Sequence, residues 1–513
     1  MTERSPARSG RRPSPAVILA VVSFSVFIAA DDLTVVSTML RPIIGDLGLV
    51  LPDGLDDATW VVNAYLIAFV SIMPIAGRIS DIIGRRRSFI AAYTIFLAGT
   101  ILVPLSTSMD HSFGWFLAGR VLTALGGGAM VPVALAVVGD VYPEHRRARA
   151  LGTLGAIETF GWVWGPLYGA MLVRFLTWQW QFWLNVPLAL AGMAWSWWAL
   201  SDHDRPRGHP RFDAVGAGLI TITLVALNLA LLGGANVQSV TGFDQLSGAP
   251  PEFRWLYGVA ALAGAGVVWR ESRSAEPILD RRLVTGRNVV ATLVVTGVIG
   301  AGLVIAMVDV PLFVNAVEGS LEDAAVIAGW ILSALTAAMA VTSYLGGRIT
   351  ERWWARPTIV IGMVLSIGAY LWMGMTWGPT TLYPVFALQL AILGAGFGLT
   401  VAPTTSVVVN AAPPDHRGSA ASLVMVVRLL GLSIGLSALT AWGLTRFDQL
   451  RADLVLPSLT DPNFDRAVAR ATEELTAQSI AETFTAAGVV IAVGMIAGLA
   501  MRRPAGITEP KTS

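Results

Sequence analysis

The chain has 513 residues, of which 54% are hydrophobic and only 13% charged, with a mean hydropathy of +0.65 and a net charge of +1. Soluble domains carry about 25% charged residues, and a soluble fold could not hide this much apolar surface, so lipid is the solvent for most of the chain. It has no cysteine, five scattered histidines and neither an HExxH nor a GxxxxGK[ST] spacing, which excludes disulfides, thiolate metal sites and direct ATP hydrolysis.

Arg4, Arg8, Arg11 and Arg12 precede an apolar run from Pro15 to Ala30 that has the form of a secretory signal. No A-x-A cleavage site follows and similar runs recur throughout, so this run is read as a first membrane span. A crossing needs about 20 apolar residues. Spans are predicted near 16–40, 58–79, 88–107, 113–139, 149–173, 182–201, 213–235, 255–270, 288–315, 325–347, 357–378, 382–410, 419–445 and 479–501, fourteen in all. With both termini on one side, the loops of that side hold 26 of the 35 Lys and Arg, and the opposite loops hold 7. That excess marks the first side as cytoplasmic. The near-zero net charge hides this segregation and gives no argument for nucleic acid; some of the inner arginines are placed to meet anionic lipid.

Ionisable residues inside spans cost about 2.5–3.5 kcal/mol each on insertion scales, so each needs a reason. Span 1 carries Asp31 and Asp32, which point about 100° apart around a helix. Span 4 carries Arg120, and span 5 carries Glu158 followed by Gly161, Gly165, Pro166 and Gly169. Span 9 carries Asp309, five residues before its predicted outer end and close to Pro311, and span 13 carries Arg428. From Phe447 to Ser479 the chain is polar, and Asp461-Pro462-Asn463 is a helix start that runs without interruption into span 14. About forty helical residues would extend about 60 Å, twice the hydrocarbon thickness. Spans 13 and 14 are therefore expected to project outward as a hairpin.

An internal repeat sets the architecture. Gly77-Arg78-Ile79-Ser80-Asp81 after span 2 matches Gly347-Arg348-Ile349-Thr350-Glu351 after span 10 at an offset of 270. Pro132 and Pro143 of span 4 match Pro403 and Pro414 of span 12 at an offset of 271. Helices 1–6 thus repeat as helices 9–14, with helices 7 and 8 inserted between them. Expected units are residues 1–201 as an N-terminal six-helix bundle, 202–287 as a linker with two helices, and 288–513 as a C-terminal bundle with an extension over about 447–478. Parallel halves of this kind place a transport site at the bilayer midplane between them.

Gly77 to Arg87, reading GRISDIIGRRR, resembles the G-x-x-x-D-x-x-G-R-R/K loop of the major facilitator superfamily. Gly119 to Gly126 resembles that family's helix 4 arginine motif, and Gly161 to Gly169 its helix 5 antiporter motif. Asp31-Asp32-Leu33-Thr34-Val35-Val36 resembles the helix 1 signature of its fourteen-helix drug:proton antiporter branch. Within that branch, Gly165 to Gly169, Phe182 to Pro187, Val308-Asp309-Val310, and Arg428 with Ala441 to Leu444 resemble the mycobacterial-type triacylglyceride exporters, which work with a periplasmic lipoprotein. The resemblance implies an all-α membrane protein of the major facilitator fold with 14 transmembrane helices. It implies a proton-coupled secondary transporter that exports apolar lipid by alternating access. The alternative is multidrug efflux of amphipathic compounds by drug:proton antiport.

Asp32 is the expected proton carrier, since a desolvated acid holds a proton until a cation approaches. Glu158 and Arg428 are 270 apart and are expected to meet at the interface as a releasable charge pair; a static pair is the competing reading. Arg120 either serves proton transfer or anchors helix backbones, and Asp31 and Asp309 are further candidates whose competing roles are capping and solvation. Gly77, Asp81, Gly84, Arg85 and Arg86 are read as a cytoplasmic gate in which the acid bridges to arginines or a helix N-terminus. Glu351 lacks the Gly-Arg-Arg tail, so the second half is expected to latch weakly. Gly161, Gly165, Pro166 and Gly169 are expected to allow close packing and bending. Few acids lie in the spans, which favours neutral apolar cargo over cations. No catalytic or metal-ligating constellation is present, so no enzyme activity, metal or cofactor is expected, the proton gradient being the energy source. A monomer in the inner membrane of a bacterium is expected, with both termini cytoplasmic, contacting membrane lipid, an apolar or drug-like substrate and a periplasmic lipoprotein.

Overall fold

The computed structural model describes residues 13–48, 55–203, 212–232, 254–274, 278, 285–318, 321–452 and 464–503. Fifteen α-helices lie in these residues: α1 (Pro15–Thr34), α2 (Val36–Asp46), α3 (Leu55–Ile83), α4 (Arg85–Leu105), α5 (Ser112–Val141), α6 (Glu144–Phe175), α7 (Gln179–Ala199), α8 (Ala214–Leu232), α9 (Trp255–Arg273), α10 (Arg287–Val317), α11 (Leu321–Trp353), α12 (Ala355–Thr376), α13 (Tyr383–Ala411), α14 (Arg417–Ala452) and α15 (Phe464–Leu499). Together α1 and α2 fill the first predicted span, and α3 to α15 fill the other thirteen in order. Eleven of the described helical segments are long and apolar enough to cross a membrane; α2, α6, α7 and α9 fall outside that set.

Helix is the structure that satisfies a backbone in lipid without outside partners. Ser14 caps α1, accepting from the Val17 N–H at 3.4 Å, with Pro15 following in the first turn. Hydroxyls within the helices turn back onto the preceding turn: Ser25 donates to the Val21 carbonyl at 3.1 Å and Thr159 to that of Gly155 at 2.8 Å. These hydroxyls are thereby carried through an apolar environment with their hydrogen bonds made.

One apolar core joins α1, α3, α4 and α5 around Phe69, Tyr93, Phe96 and Met130. A second joins α10 to α13 and α15 around Leu335, Phe386, Phe397 and Phe484. Between them α6 packs on α11 and α3 on α14. The inserted pair α8 and α9 lies beside α3 and is tied to α14, where Ser433 donates to Asn228 at 3.0 Å and Ser437 to the Leu231 carbonyl at 2.8 Å.

The structure corrects the sequence reading at several points. Span 1 is two helical segments: Val35 itself keeps helical dihedrals, but just beyond it the Thr38 N–H bonds to the Val35 carbonyl three residues back, a local tightening. Pro42 inside α2, with no N–H to give, weakens the ladder just beyond this turn. Asp309 lies eight residues before the end of α10, not five before its outer end, and is only 4% exposed, so solvation is no longer its explanation. The helices α14 and α15 are each 36 residues long, or about 54 Å. An Arg446–Glu482 ion pair at 2.5 Å and a Ser479 bond to the Gly443 carbonyl at 2.9 Å join them side by side. The Asp461-Pro462-Asn463 helix start lies outside the described residues, as do Arg4, Arg8, Arg11 and Arg12.

Candidate functional site

Among the described residues, the buried carboxylates include Asp31, Asp32, Asp309 and Glu158, and their neighbours differ. Asp32 of α1 is completely buried and meets Arg120 of α5, whose guanidinium donates to Oδ2 at 3.2 Å and to the Asp32 carbonyl at 3.4 Å. Asp31 turns away toward α7 and accepts from the Gln181 amide at 2.9 Å, so the adjacent acids occupy separate pockets. Asp309 of α10 has one oxygen, Oδ2, without a hydrogen-bond partner among the described residues.

The fourth acid, Glu158 of α6, lies 3.5 Å from Arg428 of α14. Their numbers differ by the repeat offset, so each is the other's counterpart. A residue and its own repeat mate can touch only on the axis that relates the two halves. The pair therefore sits at the centre of the interface, in a small cavity walled by Leu33, Phe69, Met73, Val131, Trp162 and Met425. Its side chains are 11% and 7% exposed. Breaking a pair this buried costs about 3–5 kcal/mol because one charge is left alone.

At one end of the bundle the halves are locked together. Asp81 of α3 accepts from the free N–H groups of Gly418 and Ser419 at the start of α14, at 3.0 and 3.1 Å. These are orphan donors at the positive end of a helix dipole, which suits a carboxylate. Arg85 braces the acid at 2.7 Å. Gly77 and Gly418 meet backbone to backbone: a Cβ on either would strike the carbonyl of the other. Gly84 takes φ +99°, a left-handed corner between α3 and α4 that its missing Cβ permits. Arg86, expected in the gate, does not join it; its guanidinium lies 3.6 Å above the Trp197 ring of α7.

Sequence reading missed Asp140 at the end of α5. It accepts from Arg85 at 2.9 Å and from Arg417 of the other half at 3.1 Å, so it bridges the interface. The offset of 270 that relates Gly77 to Gly347 pairs Asp140 with Asn410 and Arg147 with Arg417, so the structure places this stretch one residue from the proline matches at 271. Arg147 does donate to Asn410, so the same contact occurs twice, with a carboxylate in one copy and a neutral amide in the other. The repeat offset, applied to polar residues at helix ends, is the signal that would have found both. Gly347 likewise abuts Ala148 as Gly77 abuts Gly418. Also absent from the sequence reading are Arg78, 3.3 Å from His416 Nδ1, and Tyr65 beneath Arg120.

Gly161, Gly165 and Gly169 line the face of α6 that packs on α1 and α2, where their missing side chains admit Ala30, Thr34 and Thr38. Pro166 lies within α6 on the same stretch. The packing brings α6, which carries Glu158, and α1, which carries Asp31 and Asp32, close together.

Residues 22–436 match the model of the Major Facilitator Superfamily. Among similar proteins, a triacylglyceride transporter of Mycolicibacterium hassiacum is 32% identical over 86% of this chain and 81% of its own length. A triacylglyceride transporter of Mycobacterium tuberculosis is 32% identical over 96% and 95%, and a probable one of Mycobacterium leprae 31% over 98% and 99%. In fold, a human organic anion transporter superposes with a TM-score of 0.60 at 15% identity, covering 95% of this chain and 100% of that one. A proton:xylose symporter does so with 0.60 at 13%, covering 94% of each. The chain is a multi-pass, all-helical membrane transporter and belongs to the Major Facilitator Superfamily.

Proposed function

We propose that this chain exports an apolar lipid, a triacylglyceride, out of the cytoplasm by proton-coupled alternating access. The observation that carries the substrate is full-length similarity to transporters named for triacylglyceride, and the cavity agrees with it. Apart from one ion pair, the residues that line this cavity are apolar. A neutral, three-tailed ester needs such a wall, and a cationic drug would lack an uncompensated acid there.

In this reading the Asp81 end faces the cytoplasm, as do both termini, and the conformation is closed on that side. The Asp81 cap, the Asp140 bridge and the Glu158–Arg428 pair hold it closed. Protonating Glu158 discharges the axial pair and favours opening toward the cytoplasm. Asp32 beside Arg120 exchanges the driving proton, with Asp31 and Asp309 as further acids that cycle uncharged. Lipid then enters, and reclosure delivers it outward along the α14–α15 hairpin, the natural surface for a periplasmic lipoprotein. The unit acts as a monomer in the inner membrane of a bacterium and needs no cofactor beyond the gradient.

Purified full-length protein in proteoliposomes tests this, with a fluorescent triacylglyceride and a cationic dye assayed under an imposed proton gradient. Gradient-dependent movement of the lipid is the expected result. Movement of the dye without the lipid would replace this reading by drug:proton antiport.

A further inference from the structure

The guanidinium of Arg120 is held by more than Asp32. Its central carbon lies 4.1 Å from the ring centroid of Tyr65 on α3 and 5.8 Å from that of Phe182 on α7. All three side chains are at most 1% exposed. When Asp32 takes a proton, its carboxyl no longer neutralises this cation. Arginine cannot respond by losing a proton of its own, and its side chain is buried away from the surface. A bare guanidinium in such a place would resist protonation of Asp32 altogether.

Aromatic faces carry a negative quadrupole that attracts a desolvated cation. Other groups around Asp32 cannot substitute for it. Asp31, next along α1, faces away into the Gln181 contact. From α6 the approach to α1 is made by Gly161 and Gly165, and the α6 acid Glu158 is occupied by Arg428 of α14. Thr123 of α5 donates to the Arg120 backbone carbonyl and offers the guanidinium nothing. The remaining titratable group is the Tyr65 hydroxyl itself.

We propose that Tyr65, with Phe182 behind it, is a positioning residue of the proton site: its ring face holds the Arg120 cation while Asp32 is protonated. The carboxyl can then load and release its proton without the guanidinium leaving the pocket. This rests on Asp32 as the proton carrier.

The test is the pH dependence of gradient-driven lipid flux in proteoliposomes, for wild type, Tyr65→Phe, Tyr65→Leu, Phe182→Leu and Asp32→Asn. Losing the Tyr65 ring removes stabilisation specific to the protonated site. Apparent proton affinity in Tyr65→Leu should fall about 2- to 30-fold, moving the midpoint to lower pH by about 0.4–1.5. Tyr65→Phe keeps the ring and loses only a hydroxyl directed at Asp32, so it should not lower the midpoint, whereas Phe182→Leu should shift it in the same direction as Tyr65→Leu by less. If Tyr65→Leu does not fold, the Phe182→Leu shift carries the test. An unmoved midpoint in the leucine variants, with Asp32→Asn inactive, would overturn the ring's role and leave Asp32 as carrier. An equal shift in Tyr65→Phe would assign the effect to the hydroxyl and overturn it as well. Full gradient-driven flux in Asp32→Asn would remove the carrier reading, and this proposal with it.

Discussion

The axial pair gives the sharpest prediction. Arg428→Gln removes the guanidinium from a contact of 3.5 Å whose side chains are 7% and 11% exposed. A buried charge deprived of its partner costs about 3–5 kcal/mol. Because the pair joins α6 to α14, that cost falls on the closed conformation. At about 1.4 kcal/mol per factor of ten, the full penalty would shift the conformational equilibrium by more than a hundredfold. Glu158 can relieve part of it by taking a proton, so a shift of at least about tenfold is expected. The natural chain has no cysteine, which makes a single reporter clean. Ala402 on α13 is fully buried and lies against Gly152 of α6, so a cysteine there is covered only while the halves are together. Labelling by a membrane-impermeant maleimide should accelerate at least about tenfold in Arg428→Gln and in Glu158→Gln. The double variant leaves no unpaired charge and should return toward the wild-type rate. Unchanged labelling in both single variants would refute the idea that this pair holds the halves closed.

Asp81→Asn removes the charge that caps α14; losing a cap costs about 0.5–2 kcal/mol, so labelling at Cys-substituted Ala402 should rise about 2- to 30-fold. Gly418→Val places a side chain on the Gly77 carbonyl, so lipid flux should vanish while the purified protein still elutes as a folded species. Trp354 stands where the repeat has Gly84 and adopts φ 75°, ψ 170°, a region that costs a residue with a Cβ about 1–3 kcal/mol. Trp354→Gly and Trp354→Ala lose the same packing, so thermal unfolding should show the glycine variant to be the more stable of the two. Arg446→Ala breaks a pair that is 35% and 31% exposed; such pairs contribute at most about 1 kcal/mol, and the unfolding temperature should move by less than about 2 °C.

Much of the architecture was legible because two strong physical constraints act on the sequence. Lipid demands long apolar helices, and membrane insertion sorts arginine by side. The repeat offset carried further: it pointed to Glu158 and Arg428 as equivalent positions, and the structure brings those side chains together. What the sequence did not disclose depended on register across distant helices. Arg86 stacks on Trp197, more than a hundred residues away, and no local pattern distinguishes it from Arg85. Asp309 was read as open to solvation because it lies near the end of its span, but α10 runs on to Val317 and packing against neighbouring helices buries the side chain. Asp140 sits at a helix end where acids are ordinary, and its bridging role exists only once α4 and α14 converge on it. The break at Val35 falls inside the predicted apolar span, between Thr34 and Val36, with no glycine or proline at that point to mark it.

Coupling between proton and lipid is the central claim, and it is reciprocal by linkage. The most direct measurement therefore runs the cycle without an imposed proton gradient. Proteoliposomes loaded with triacylglyceride on one side and a pH-sensitive dye in the lumen should show protons moving opposite to the lipid, and Asp32→Asn should abolish that signal. Lipid crossing at the wild-type rate with no accompanying pH change would contradict the account.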